Sequence, residues 1–205
     1  LVIYGHGTGC ITQVSHIQRR RPKSSLYQAM VLSTPSITIA QRPSFIQYIL
    51  VKKFGYLAPY FRLPLSGNKD KKEYSSDKSE VEKYRVDTLV HDRWPASTIS
   101  MFLQLRYEFE SAIIVFRVPT LIQHGSKDTT TLVERIRAWA NKAKRPRKYE
   151  ERKGFDHELH NQPEKESLFK YILGWLNTML NLNIDSFQYP EIEPFKVPIN
   201  EIPKE

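Results

Sequence analysis

One cysteine, Cys10, is all that 205 residues contain. A single thiol excludes an intrachain disulfide framework and points to a reducing, cytoplasmic setting. Long apolar runs are missing as well: nothing approaches the ~20 consecutive apolar residues that a membrane-spanning helix requires. Histidines and carboxylates never fall at metal-ligand spacing such as H-x-x-x-H with a nearby acid, so no metal and no other cofactor is expected. Internal repeats are absent too. Positive charge, by contrast, is in excess, since 31 Lys and Arg stand against 22 Asp and Glu and leave a formal net charge of +9. Such a balance favours anionic partners, but the cations are scattered through "RRRPK" (19–23), "KDKK" (69–72) and "KAKRPRK" (142–148). No aromatics interleave with them as in a base-stacking platform, so solvated surface is the expected role and no nucleic-acid partner is expected. A basic module for anionic membrane or nucleic acid ranks last among the readings, and steep salt dependence of binding would be its mark.

One further absence is local. The opening stretch "LVIYGHGTGC" runs from four apolar or aromatic residues into glycines at 5, 7 and 9, the pattern of a buried strand handing over to a helix through a tight turn. Serine at position 7 would complete G-x-S-x-G, the turn that presents a nucleophile at the top of a sheet. Gly7 stands there instead. The chain also starts without methionine or a signal-peptide pattern, inside a predicted strand, so its natural start is expected upstream.

Downstream, Ile11, Val14 and Ile17 recur at helical spacing until Pro22, and "LYQAMVLST" gives a second strand run closed by Pro35. "FRVPTLIQHGSKD" supplies a third. A helix follows with Leu132, Ile136 and Trp139 on one face; "RKYEERKGFDH" is a weak fourth strand, and the last helix turns Leu168, Ile172, Trp175 and Leu176 inward. Alternating strand and helix predicts a parallel sheet covered on both faces. Between the second and third strands, about 36–116, lies an insertion with helices of its own, expected to cap the strand ends. Its first helix carries Ile46, Leu50, Phe54 and Leu57 on one stripe beside Lys52 and Lys53; cap core is the expected role, with a membrane-surface contact as the alternative. After Leu182, prolines at 190, 194, 198 and 203 predict an extended or disordered tail over 183–205.

In an open parallel sheet, ligands sit at the carboxyl ends of the strands. The residues weighed there are Gly7 after the first run, Asp128 after the third and His157 after the fourth. Nucleophile, carboxylate and histidine in that chain order are what an α/β-hydrolase triad uses. Asp128 is equally well placed to cap the helix after it. His6, His16, His91, His124 and His160 are read as structural, and Cys10 as a small residue packed against the sheet.

"GHGTGC", "STPSI", "SSDKSEVEKYRVDTLVHD", "PTLIQHGSKD" and "GFDHELHNQPE" together resemble the α/β-hydrolase group of monoacylglycerol lipases, lysophospholipases and serine aminopeptidases, over residues 1 to about 180. The resemblance implies an α/β fold, a mainly parallel sheet flanked by helices, with a helical cap insertion. It also implies cofactor-free hydrolysis of carboxylic esters, often acylglycerols, held in an apolar tunnel beneath the cap. Residues 1–182 would then be the C-terminal part of the hydrolase domain, with the family's early strands and the loop bearing its second oxyanion donor lying outside this sequence. Such a half-sheet would expose an edge and an apolar face. Matched position by position, Gly7 takes the nucleophile's place, Asp128 the triad acid, His157 the general base, and the Thr8 backbone N–H one oxyanion donor. The Thr8 side chain leaves the turn in another direction and is no substitute nucleophile. With the hydroxyl missing, a lipid-binding pseudoenzyme is the alternative function.

Overall fold

Short runs that end in a turn become the strands of the main sheet, and helices form in the stretches between them. The computed structural model describes residues 1–20, 26–38, 43–64, 74–90, 93–144 and 147–181. Strand β1 (Val2–His6) turns at Gly7 into helix α1 (Thr8–Arg20), and β2 (Ala29–Ser33) follows. The insertion then builds α2 (Phe45–Leu57), β3 (Arg62–Pro64), α3 (Lys78–Val86), β4 (Arg93–Pro95) and α4 (Ala96–Ser111). The chain returns through β5 (Thr120–Gly125), α5 (Val133–Lys142), β6 (Arg147–Arg152), a 3-10 turn (Leu159–Asn161) and α6 (Lys165–Leu180). The tail from 182 onward, His91 and the basic residues 21–23 and 69–72 lie outside the described residues.

The main sheet has the order β1-β2-β5-β6, and every pairing in it is parallel. Its register sets Ser33 beside both His6 and Gln123, so the strand ends form one rim. β3 and β4 make a separate antiparallel ribbon. Side chains alternate across the central strands as a period of two demands. Met30, Leu32 and Ile122 enter one core with Ile11, Val14, Phe109 and Trp139 from α1, α4 and α5. Ala29, Val31 and Leu121 enter the other, against Leu168, Ile172 and Trp175 of α6. Each fully buried large side chain contributes about 1.5–3 kcal/mol. Trp139 also satisfies its ring N–H on the Phe109 carbonyl, at 3.1 Å.

Three details bear on the sequence reading: the first and third differ from it, and the second accords with it. Leu132 does not share the buried helical face; it precedes α5, and Val133 joins Ile136, Trp139 and Ala140 inside. β6 reads as a weak strand because it lies at one end of the sheet and carries polar residues, which pair laterally: Arg137 holds Glu151, Tyr171 donates to Glu150 at 2.9 Å, and the Arg152 guanidinium sits 3.9 Å over the Tyr171 ring. The third is a correction. The stripe on α2 is not cap core, for Ile46, Leu50 and Leu57 are 70%, 59% and 76% exposed. α2 packs on α4 through its small residue, Gly55, the only one buried in that helix, which rests against Ser100 and Ala96. That close approach leaves the opposite, apolar face outward.

At the other end of the sheet, Tyr4 of β1 is half exposed. It borders an apolar cavity of about 510 Å³ with His160, Phe169, Ile172 and Leu173.

Candidate active site

Four loops leave the carboxyl ends of β1, β2, β5 and β6, and hydrogen bonds weave three of the turns together. The Gly7 amide donates to the Ser33 carbonyl (3.0 Å), the Ser36 amide to the Gly7 carbonyl (3.1 Å) and the Thr34 amide to the Gln123 carbonyl (2.8 Å). Gly7 has φ +54°, the left-handed region that costs an L side chain energy and costs glycine nothing. Thr34 adopts φ +42° without that exemption, and such strain persists only where surroundings impose it.

Asp128 lies after β5 in a tight turn and is buried. Its two carboxylate oxygens divide the roles that sequence left open. Oδ1 accepts from the Thr130 and Thr131 amides at 2.7 and 3.1 Å, while Oδ2 accepts from the Thr131 hydroxyl at 2.7 Å and faces His157 Nδ1 at 2.8 Å. His124 Nε2 stands 3.2 Å from the same Oδ2. Burial alone would raise the Asp128 pKa, but hydrogen bonds from His124 and His157 outweigh it and hold the carboxyl well below the usual range. Because an ionised carboxylate only accepts, Nδ1 of His157 carries a proton toward it, and of the two neutral tautomers this selects the one whose Nε2 has the free lone pair. That nitrogen lies 3.7 Å from the point where a Cβ on Gly7 would stand.

Gly125 makes this meeting possible. A side chain there would collide with the Phe155 and Asp156 carbonyls, so its absence lets the loop bearing His157 lie against the end of β5. Tyr74, just before α3, closes over the site, its ring 6.0 Å from that of His157 while its carbonyl accepts from the Glu158 amide at 2.8 Å. Thr8 opens α1, so its N–H has no acceptor one turn back and lies at the positive end of the helix.

Three residues at this rim are not singled out in the sequence: His6 and His124 read as structural, and Ser36 is not among the candidates weighed. His6 packs its ring 5.2 Å from His157 and 4.7 Å from His160, with Nδ1 3.0 Å from the Thr34 hydroxyl. Burial, then the two neighbouring histidines, pull the His6 pKa down to about 3, so it is neutral where His157 works. His124, at the end of β5, shares Asp128. Ser36 follows β2; the strand-end rule applied to that strand as well as the others would have found it. Cys10, by contrast, is a packed thiol as expected, donating toward the Gly5 and Ser33 carbonyls, with its pKa pushed up by burial. Among the described residues no cluster of three or more His, Cys, Asp or Glu side chains is arranged to hold a metal ion. A cleft of about 650 Å³ at the amino ends of β5 and β6, lined by Thr120, Arg147 and Trp175 among others, shares no residue with this site.

A mainly parallel sheet with helices on both faces, crossed by an interrupting helical segment, is the α/β-hydrolase architecture. The sequence profile of the serine aminopeptidase (S33) family matches residues 1–164, and the chain belongs to that family. It is similar to a monoacylglycerol lipase of Mycolicibacterium smegmatis, 28% identical over 158 residues that cover 73% of this chain and 53% of that protein. The chain thus spans about half the length of that relative. The crystal structure of Paleococcus ferrophilus monoacylglycerol lipase superposes with a TM-score of 0.76 at 26% identity, covering 87% of this chain and 68% of that one. A soluble variant of the Saccharomyces cerevisiae monoglyceride lipase, complexed with a substrate analog, shares the fold at TM-score 0.69 and 16% identity over 86% and 61%.

Proposed function

We propose that this chain carries the proton-transfer half of a carboxylic ester hydrolase acting on monoacylglycerol-like lipids, with turnover crippled because position 7 offers no hydroxyl. One observation carries the reading: His157, oriented by Asp128, aims Nε2 at the place where a nucleophile on Gly7 would project. In an intact site the imidazole takes the hydroxyl proton as oxygen attacks the ester carbonyl, then returns it to the leaving alcohol, while Asp128 holds the tautomer and offsets the imidazolium charge. The Thr8 N–H is assigned to the developing oxyanion. The similarity to monoacylglycerol lipases supports the substrate class. The outward apolar stripe of α2, with Lys52 and Lys53 exposed beside it, supports peripheral contact with a lipid surface. No described helix is long and apolar enough to cross a membrane.

The bare Gly7 favours a second reading, a pocket that binds lipid-like ligands or a protein without cleaving them. Monoacylglycerol and short-chain ester hydrolysis, measured on the native chain and on Gly7→Ser, separates the two. Slow turnover that the substitution greatly accelerates supports the hydrolase. Failure of Gly7→Ser to accelerate any ester would sink it.

A further inference from the structure

The point left empty at Gly7 has two neighbours. His157 Nε2 is 3.7 Å from the Cβ position, and Ser36 Oγ is also 3.7 Å from it. We propose that Ser36, on the neighbouring turn, is the surrogate nucleophile of this site. The inference rests on the ester-hydrolase reading and names the atom through which the native chain reacts.

Ser36 is held where such a group is needed. It is 4% exposed. Its amide donates to the Gly7 carbonyl at 3.1 Å, and its own carbonyl accepts from Arg106 Nε of α4 at 2.7 Å. The turn carrying it includes the strained Thr34, whose hydroxyl meets His6. Backbone on one side and a cap-segment guanidinium on the other thus fix a serine beside the general base. Both atoms border the same unfilled space at 3.7 Å from one point, and in this proposal the proton crosses that space through one bridging water. A serine on Gly7 would fill that space, so the glycine opens it.

The chemistry balances without a further reagent. Ser36 Oγ attacks the ester carbonyl carbon and its proton passes to His157 Nε2. The tetrahedral intermediate expels the alcohol, which leaves with that proton, and an acyl-Ser36 ester remains. Water then attacks the acyl carbon, gives its proton to His157, and the Ser36 oxygen departs with it as the carboxylic acid is released.

The test uses a fluorophosphonate, which forms a covalent bond to an activated serine, with the modified peptide mapped by mass spectrometry. The expected result is an adduct on Ser36 in the native chain. Ser36→Ala should remove that adduct and lower ester turnover on the order of 10²-fold while the melting temperature stays in place, a combination that a merely structural hydroxyl would not give. An adduct on any other residue, or turnover indifferent to Ser36→Ala, overturns the proposal. So does an unlabelled native chain; if Gly7→Ser is then labelled at position 7, the ester-hydrolase reading survives without Ser36, and if it too stays unlabelled both readings fall. The mapped adduct on native protein decides the matter even where the alanine variant folds poorly.

Discussion

The two halves of the site are built to different standards. On the β5–β6 side, Asp128 is tied by two amides, a hydroxyl and two histidines, so both of its carboxylate oxygens have defined partners. On the β1–β2 side the turn is just as firmly hydrogen-bonded, yet at its centre stands a residue with no side chain. The hydrogen-bonded His157–Asp128 pair therefore faces a position that contributes only backbone. On the proposed reading the difference is confined to one small group of atoms, since a Cβ at position 7 would meet nothing closer than 3.7 Å.

The largest expected effect tests that confinement. Gly7→Ser should raise ester turnover about 10³-fold or more, since removing one member of such a triad leaves only a small residue of its catalysis. Its Cβ meets nothing closer than 3.7 Å. The positive φ should nevertheless cost about 1–2 kcal/mol of stability, read by chemical denaturation. In that background Asp128→Asn should cut kcat about 10⁴-fold by favouring the wrong His157 tautomer. In the native chain the same change should destabilise by about 1–3 kcal/mol through the half-satisfied turn. If the native chain tolerated it without loss, the β5–β6 half would be less rigid than its hydrogen bonds imply.

Acid should act on the histidine cluster where the two halves touch. His6 has its folded pKa lowered to about 3, below the ~6.5 of an unfolded histidine. Between those values the unfolded chain binds the extra proton, so stability is full above pH ~6.5 and falls as pH drops toward 3, by up to about 1.4 kcal/mol per pH unit. Asp128, whose pKa is also lowered, adds its own loss only below pH ~3.8. Urea midpoints across that range should decline less steeply in His6→Asn. The smallest effect on folding lies farthest from the chemistry: Leu50→Ser with Leu57→Ser on the exposed face of α2 should change stability by no more than about 0.5 kcal/mol. The pair should still weaken binding to vesicles of anionic phospholipid, measured by co-sedimentation.

Sequence pattern carried far where one period governs one face. The apolar run "LYQAMVLST" was legible as a strand, though only the structure sorts Met30 and Leu32 into one core and Val31 into the other, and the strand-to-helix glycine turn was visible in ten residues. Asp128 and His157 were legible as candidates because each closes a strand. Their pairing was implied by the family resemblance; the Gly125 contact that permits it and the entry of His6, His124 and Ser36 were not legible, since these residues are strangers along the chain and meet only when parallel strands align their ends. The α2 stripe misled for a related reason, because periodicity says that a helix has an apolar face but not which neighbour will cover it.

What the sequence determined by itself is therefore local: where strands and helices run, and that position 7 has no hydroxyl. Tertiary structure decided the rest. Strand register fixes which loop ends share a rim, and that register brings the His157 imidazole and the Ser36 hydroxyl to within 3.7 Å of the same point. A distance of that kind is set by packing between elements far apart in the chain, which no short stretch of residues encodes.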